Sequence, residues 1–414
     1  MDTILKKNLS YLFILQNFNY IIPLLLLPYL TRTLGAENFG KIAFAQAFIT
    51  YFILITDFGF NTSATQDIVR SRTDKAALSK FFWSITVTKS LLGIASLIVL
   101  VILLIVIPKL QQMYVLLLIA SSGILSTIIF PVWLFQGLEK MSYITLFNVI
   151  PKILVLIFTF VFVKLKSDYT LALGIQSLGT LLSAIACAFI IINQRIVKLY
   201  YPNISNIKST ITEGWHIFAS SLATNIYTTT NTVVLGFLSS NIAVGIFSAS
   251  EKIVRSLISL FSSVSQVTFP RINTYYQESV EKAVNFGNKV LKYTFISTFS
   301  IGIFLFIGAP LIVKVLFGIT QFSEVIIILR ISSFIPCLAT CNGIMATNFL
   351  ITFGLKKYLF IVVAIGGLFS LLTIVPTVLF FQARGVAIIA TLTEILITIM
   401  LLVIFKTHQI KIKF

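Results

Sequence analysis

Runs of apolar residues about as long as a bilayer is thick recur down the whole 414-residue chain, and no other feature limits its fold so severely. Hydrocarbon offers no water to peptide groups, so a spanning segment must be an α-helix or a strand of a closed barrel. The runs lack the even alternation of barrel strands, which makes this an all-α integral membrane protein. Twelve spans can be placed, at roughly 9–30, 42–59, 81–107, 113–135, 143–163, 169–193, 212–237, 242–269, 290–316, 323–352, 358–381 and 385–405. Composition agrees: 57% of residues are hydrophobic and 11% charged, where soluble domains are roughly 45–50% apolar.

Lys and Arg total 31 against 13 Asp and Glu, a formal charge of +18. In a soluble chain that would suggest nucleic acid; here most bases flank spans, so membrane lipids are the partner and nucleic acid is not. With the N-terminus in the cytoplasm, 19 bases fall in inner loops and tails and 7 in outer loops, as the positive-inside rule requires. Both termini are therefore expected to be cytoplasmic. The polar segments 61–80, 194–212 and 270–289 then all lie inside, and every outer loop is short. Lys6 and Lys7 precede the first apolar run, but no small-residue cleavage site follows, so that run is expected to stay as a span. Cys187, Cys337 and Cys341 sit in apolar segments away from metal-ligand spacing and read as small buried side chains.

The chain echoes itself. FGKIAFAQAF from Phe39 lines up with VGIFSASEKI from Val244 when Gly40 is set on Gly245, an offset of 205. GLEKM from Gly137 precedes span five as GLKKY from Gly354 precedes span eleven, an offset of 217. Both point to a duplicated six-helix unit, and because six is even the copies share one orientation. The expected domains are lobes at 1–205 and 206–414, joined near the turn signal Pro202-Asn203.

A phosphate-cradling GxxxxGK[ST] loop and a metal-binding acidic cluster are both missing from the sequence, so no enzyme activity, cofactor or metal is expected. Five bases, Lys89, Lys152, Lys252, Arg255 and Arg330, fall inside spans, and most lie about 15 Å deep at 1.5 Å per residue. Glu251 and Arg255 are four apart and can pair on one helix face, which leaves the set with net positive charge suited to phosphate. The competing reading is that these bases pair with Glu394, backbone carbonyls or headgroups and merely hold helices together. Asn225 and Asn231, in a polar series with Tyr227 and Thr228 to Thr230, suit sugar hydroxyls or interhelical hydrogen bonds, as do Gln16, Asn17, Asn19 and Tyr20 of span one. The deep acids Glu251 and Glu394 are candidates for ion coupling, Glu394 as the proton carrier and Glu251 as the partner of Arg255. Prolines in or at the ends of spans, among them Pro131 and Pro310, permit kinks.

The segments QNFNYIIPLLLLPYLTRTLGAENFGKIAFAQAF, DFGFNTSATQDI, PVWLFQGLEKMSYI and FSASEKI followed by SQVTFPRI resemble the O-antigen (Wzx-type) flippases. These form part of the polysaccharide transport branch of the multidrug, oligosaccharidyl-lipid and polysaccharide exporter superfamily. The resemblance implies two pseudo-symmetric six-helix lobes around a V-shaped central cavity, in the bacterial inner membrane. It implies a substrate, an undecaprenyl-diphosphate-linked O-antigen repeat unit moved to the periplasmic leaflet by alternating access. It also implies working partners, an O-antigen polymerase and a chain-length regulator. Phosphate-binding charge falls, on this resemblance, to Lys89, Lys252, Arg255 and Arg330. The alternatives are a cation exporter of the same superfamily and an O-antigen polymerase, which would carry large periplasmic loops.

Topology reporters fused at Phe414 and within 194–212 are expected to read cytoplasmic; a periplasmic signal from either would mean that the spans are miscounted.

Overall fold

The computed structural model describes residues 3–318, 321–410 and 412, with the side chains of 3–17, 19, 20, 262, 266 and 356 outside the description. Among the described residues the chain is helical and has no strand. In order the helices are α1 (Thr3–Asp57), α2 (Phe60–Ser71), α3 (Lys75–Val106), α4 (Pro108–Gln111), α5 (Tyr114–Ile129), α6 (Val132–Gly137), α7 (Met141–Phe162) and α8 (Tyr169–Asn193). They continue with α9 (Ile204–Thr228), α10 (Thr230–Leu238), α11 (Asn241–Glu278), α12 (Val280–Phe317), α13 (Ser323–Ile331), α14 (Ile335–Ile344), a π-helical turn (Met345–Ile351) and α15 (Lys356–Thr407).

Two of these are pairs of spans run together. α1 breaks at Gly35 (φ 76°, ψ 170°), a conformation closed to residues with a Cβ, and α15 breaks at Gln382 (φ 49°, ψ −127°). Each of the twelve expected spans accordingly coincides with helix. Among the described residues eight stretches are long and apolar enough to cross a membrane, and two of them contain such a break. Span seven, rich in Asn and Thr, is divided into α9 and α10 at Thr229.

The chain forms two compact units: one of 1–29 and 41–222, the other of 30–40 and 223–414. In the first, α8 packs on α5 and α7, and an aromatic core gathers Phe58, Phe60, Phe82, Trp133, Phe135 and Phe218. Phe58 and Phe218 stack at 4.4 Å, which ties the middle of α9 into this unit. In the second, α11 packs on α12 and α14, α10 packs on α15, and Leu291, Ile344, Phe349, Leu401 and Phe405 form the core. The three cysteines are free and buried, as expected.

The internal repeat can be followed in how helices end. α6 closes with the amide of Lys140 on the carbonyl of Phe135 (2.8 Å) and that of Glu139 on Gln136 (3.0 Å), Glu139 taking φ 58°. The π-helical turn closes the same way, Leu355 on Leu350 (2.8 Å) and Gly354 on Ile351 (3.2 Å), with Gly354 at φ 75°. α8 and α15 end alike, through Arg195 (φ 46°) and Gln409 (φ 56°). This left-handed cap satisfies carbonyls that a helix end strands. It pairs Glu139, not Gly137, with Gly354, so the GLEKM and GLKKY echo aligned the loops two residues out of register. Gly137 instead makes room for a neighbouring helix, since a Cβ there would strike Ile68.

In the second unit the Gly40 and Gly245 backbones cross in contact. A Cβ on Gly40 would collide with the carbonyl of Asn241 and the amide of Gly245; one on Gly245 would collide with the carbonyl of Ala36 and approach the amide of Gly40. The relation is reciprocal, residue 36 to 245 and 241 to 40, with the offset of 205 seen in the sequence. Small residues at such a crossing let helices approach until backbones touch, which is how helices bind one another where the hydrophobic effect is absent.

Gly245→Ala is expected to destabilise by about 1–3 kcal/mol because backbone, not a flexible side chain, fills the space. Gly174→Ala, where a Cβ meets open space, is the control. Equal melting temperatures for the two variants in detergent would remove the crossing as a structural determinant.

Candidate functional site

A helix broken inside a membrane exposes carbonyls, and the candidate site is built around one such break. Between α9 and α10 the amide of Thr232 turns back to the carbonyl of Thr229 (3.2 Å), leaving the Thr228 carbonyl without its usual amide. Arg255 of α11 supplies the missing donor, with Nη2 3.1 Å from that oxygen. The same guanidinium donates from Nε (2.8 Å) and Nη2 (2.7 Å) to Oε1 of Glu251, one turn earlier on α11. Thr232 donates to the other Glu251 oxygen at 3.4 Å. Asn225 accepts from the Thr229 hydroxyl (3.0 Å), so it serves the break itself.

Glu251 and Arg255 face a cavity of about 90 Å³ lined also by Tyr227, Asn231, Phe247, Ser332 and Glu394. Glu394, on the second half of α15, accepts from Asn342 Nδ2 at 2.9 Å, while Thr398 donates to Asn342 Oδ1 at 2.8 Å. Asn231 is buried, donates to the Tyr227 carbonyl (3.1 Å) and accepts from Ser370 (3.4 Å). Two acids and one base therefore share this space. Its volume equals about three water molecules and falls short of the roughly 300 Å³ at which small-molecule sites begin. The recess is partly open, and in this conformation the space within it is of water-sized dimensions.

The structure brings Asn231, Glu251, Arg255 and Glu394 together and puts Asn225 beside them. Lys252, Arg330 and Lys89 are elsewhere. Lys252 holds its ammonium 4.9 Å from the centre of the Phe39 ring, and among the described residues no carboxylate pairs with it. Arg330 is exposed on α13; it stacks on Phe306 and donates from Nε to the Phe306 carbonyl at 3.3 Å. That carbonyl is free because the residue four places on is Pro310, which has no N–H to give it. Lys89, 1% exposed, lies in the first unit and bonds Asp57 at 2.7 Å and the Thr127 carbonyl at 3.4 Å. Pro131 stands four residues after Thr127 and strands that oxygen in the same way. Asn61 donates to the same Asp57 oxygen (2.8 Å). The helix-holding reading thus describes Lys89 and Arg330 better than phosphate binding does. The span-one residues Gln16, Asn17, Asn19 and Tyr20 lie outside the described side chains.

Asp57 and Asn342 were missed as partners of Lys89 and Glu394. For Asp57 a signal existed: a buried lysine needs an acid, and Asp57 is the sole acid inside an expected span of the first half. For Asn342 there was none, because its companion lies 52 residues away on another helix.

A many-helix membrane bundle of two units, each with ion-paired charge among its helices, defines a class of transport protein rather than an enzyme, and comparison with known proteins agrees. A family model described as "Polysaccharide biosynthesis protein" matches residues 5–276, and the chain belongs to that family. A "Putative O-antigen transporter" of Escherichia coli (strain K12) is 31% identical over 98% of both chains. One of the same name from Shigella dysenteriae is 28% identical over 96% of this chain and 99% of its own. In fold the chain is similar to "Lipid II flippase MurJ, inward closed conformation", with TM-score 0.76 and 20% identity over 95% of this chain and 87% of the other. It is also similar to a multidrug resistance MATE family transporter of the MOP superfamily, with TM-score 0.68 and 15% identity over 94% and 98%.

Removing Arg330 (Arg330→Gln) is expected to cost about 1–3 kcal/mol, the penalty of a polar group left without a partner away from water. In a Pro310→Ala background, which restores the missing amide, the cost should fall to less than half. Thermal unfolding of the four proteins gives the cycle; equal costs in both backgrounds would mean that Arg330 acts through something other than the Phe306 carbonyl.

Proposed function

We propose that this protein moves a polyprenyl-diphosphate-linked oligosaccharide, an O-antigen repeat unit on undecaprenyl diphosphate, from the cytoplasmic to the periplasmic leaflet of the bacterial inner membrane by alternating access. Full-length similarity to two proteins named as O-antigen transporters is the observation that carries the substrate class. The physics fits, because a diphosphate and its sugars cannot cross hydrocarbon unaided while a polyprenyl tail can stay in lipid. An O-antigen polymerase and a chain-length regulator would receive the product. Both termini are assigned to the cytoplasm on the distribution of basic residues.

We assign the cavity of Glu251, Arg255 and Glu394 to coupling. Two carboxylates against one guanidinium favour entry of a cation or proton, and Glu251 is already committed to Arg255, which leaves Glu394 as the group that changes its occupancy. Lys252, Asn225 and Asn231 remain candidate substrate contacts. In a cell lacking its own flippase, Arg255→Ala at parental protein level should lower surface polysaccharide at least about tenfold, a loss of transition-state or conformational stabilisation near 1.4 kcal/mol. In vesicles, Glu394→Gln should still flip the lipid but lose its response to an imposed proton or sodium gradient. Normal polysaccharide with Arg255→Ala would remove the cavity from transport. A parental gradient response in Glu394→Gln would make Glu394 structural.

A further inference from the structure

The segment joining α8 to α9 is held so that it presents a mixed basic and apolar face, and its place along the membrane normal can be measured. Lys198 is fixed at both backbone atoms: its N–H donates to Ser79 Oγ (2.8 Å) and its carbonyl accepts from Trp83 Nε1 (2.9 Å). Ile196 and Val197 pack against the aromatic core of the first unit. Trp83 lies 23 residues before Val106, the last residue of α3, which is about 35 Å along a helix, just beyond the roughly 30 Å of hydrocarbon. The exposed apolar side chains of α3, Leu91 through Val106, mark the hydrocarbon part of that length. With Val106 at one edge of the hydrocarbon, that length puts the segment at headgroup level on the other side.

From there the chain leaves large apolar groups uncovered. Leu199 is 66% exposed, Tyr201 82% and Ile204 84%. They are not loose: Asn203 caps α9 by accepting from the Asn206 amide (2.9 Å), and Asn206 donates to the Tyr200 hydroxyl (3.1 Å). Around them Arg195, Lys198 and Lys208 are exposed, and 194–212 contains no Asp or Glu. The next acid, Glu213, accepts from Ser209 (2.8 Å) beside the recess that it shares with Asp67. Aromatic and aliphatic tips set among bases at headgroup depth are the composition of an interfacial anchor.

We infer that Leu199, Tyr201 and Ile204, with Arg195, Lys198 and Lys208, form a docking surface for anionic phospholipid, which ties the link between α8 and α9 to the leaflet. Positive charge selects the phosphate-rich surface, and the apolar tips enter between headgroups. The surface is independent of which substrate the protein carries.

The test uses the full chain in nanodiscs, with Tyr201→Cys carrying an environment-sensitive fluorophore; the native cysteines are buried. In discs containing phosphatidylglycerol the label should emit to the blue and be quenched by nitroxide placed at headgroup depth. Quenching should fall by about half or more in pure phosphatidylcholine, in high salt, and when Arg195, Lys198 and Lys208 are all changed to Gln, as expected for contacts screened within a Debye length. Melting temperatures of the variants serve as the check on folding. Aqueous emission in phosphatidylglycerol overturns the inference. So does shielding that follows the protein-to-lipid ratio rather than lipid charge, which would make a second copy the occupant, or shielding that appears only on adding a cytosolic extract, which would make it a soluble protein.

Discussion

A carbonyl released from its helix inside hydrocarbon must find another donor, because each one left bare costs several kcal/mol. Much of this structure follows from that constraint. Arg255 serves the Thr228 carbonyl at the α9–α10 break, Arg330 the Phe306 carbonyl ahead of Pro310, and Lys89 the Thr127 carbonyl ahead of Pro131. Arg32 does the same at the end of α12, with Nε 3.0 Å from the Leu316 carbonyl and Nη2 on that of Val315. Cations there also meet the negative end of the helix dipole. Intramembrane bases and prolines, read separately as functional charge and as kinks, are largely one device.

The device explains how the chain tolerates irregular helices at depth. A broken α9–α10 and a π-helical turn at Met345–Ile351 would be unstable if lipid were the only neighbour. Arg255 and Glu251 secure the first. At the second, Asn348 is fully buried and donates to Thr268 (2.8 Å), and Ser265 donates to Asn348 (3.3 Å) and bonds Thr347 closely. The groups named in these two clusters have partners, and that is the condition under which a buried network specifies a fold instead of weakening it. The Gly40–Gly245 crossing answers the same condition: where apolar contact with lipid is as good as contact with protein, backbone proximity and hydrogen bonds decide which helices associate.

Much of the fold could be read from residues alone because the bilayer constraint is strong and local. Span number, the turn at Gln382 and the duplication marked by Gly40 and Gly245 all depend on near neighbours in sequence or on a regular period. The site was legible only in part. Glu251 and Arg255 are four residues apart and declared their pairing, whereas Asn342 with Glu394, and Asp57 with Lys89, join helices far apart in the chain. Register slipped at GLEKM because a left-handed cap accepts Glu139 where its counterpart uses Gly354, so matching glycine to glycine followed the letter and lost the backbone.

Charge counted along the sequence also differs from charge gathered in space. Four deep bases, Lys89, Lys152, Lys252 and Arg255, against two deep acids suggested a cavity made for phosphate. Once Lys89 answers Asp57, Arg330 answers a carbonyl and Lys252 lies over Phe39, the cavity is lined by Glu251, Glu394 and Arg255, and its balance tips to acid. Three of Arg255's five N–H groups are committed, two to Glu251 and one to Thr228, which leaves the two on Nη1 for any further acceptor. Glu394 presents its carboxylate to the Asn342 amide and to the cavity itself. We therefore propose these residues as the part that senses an ion and holds the helix break, and look for the sugar and phosphate contacts in spaces larger than this cavity of about 90 Å³.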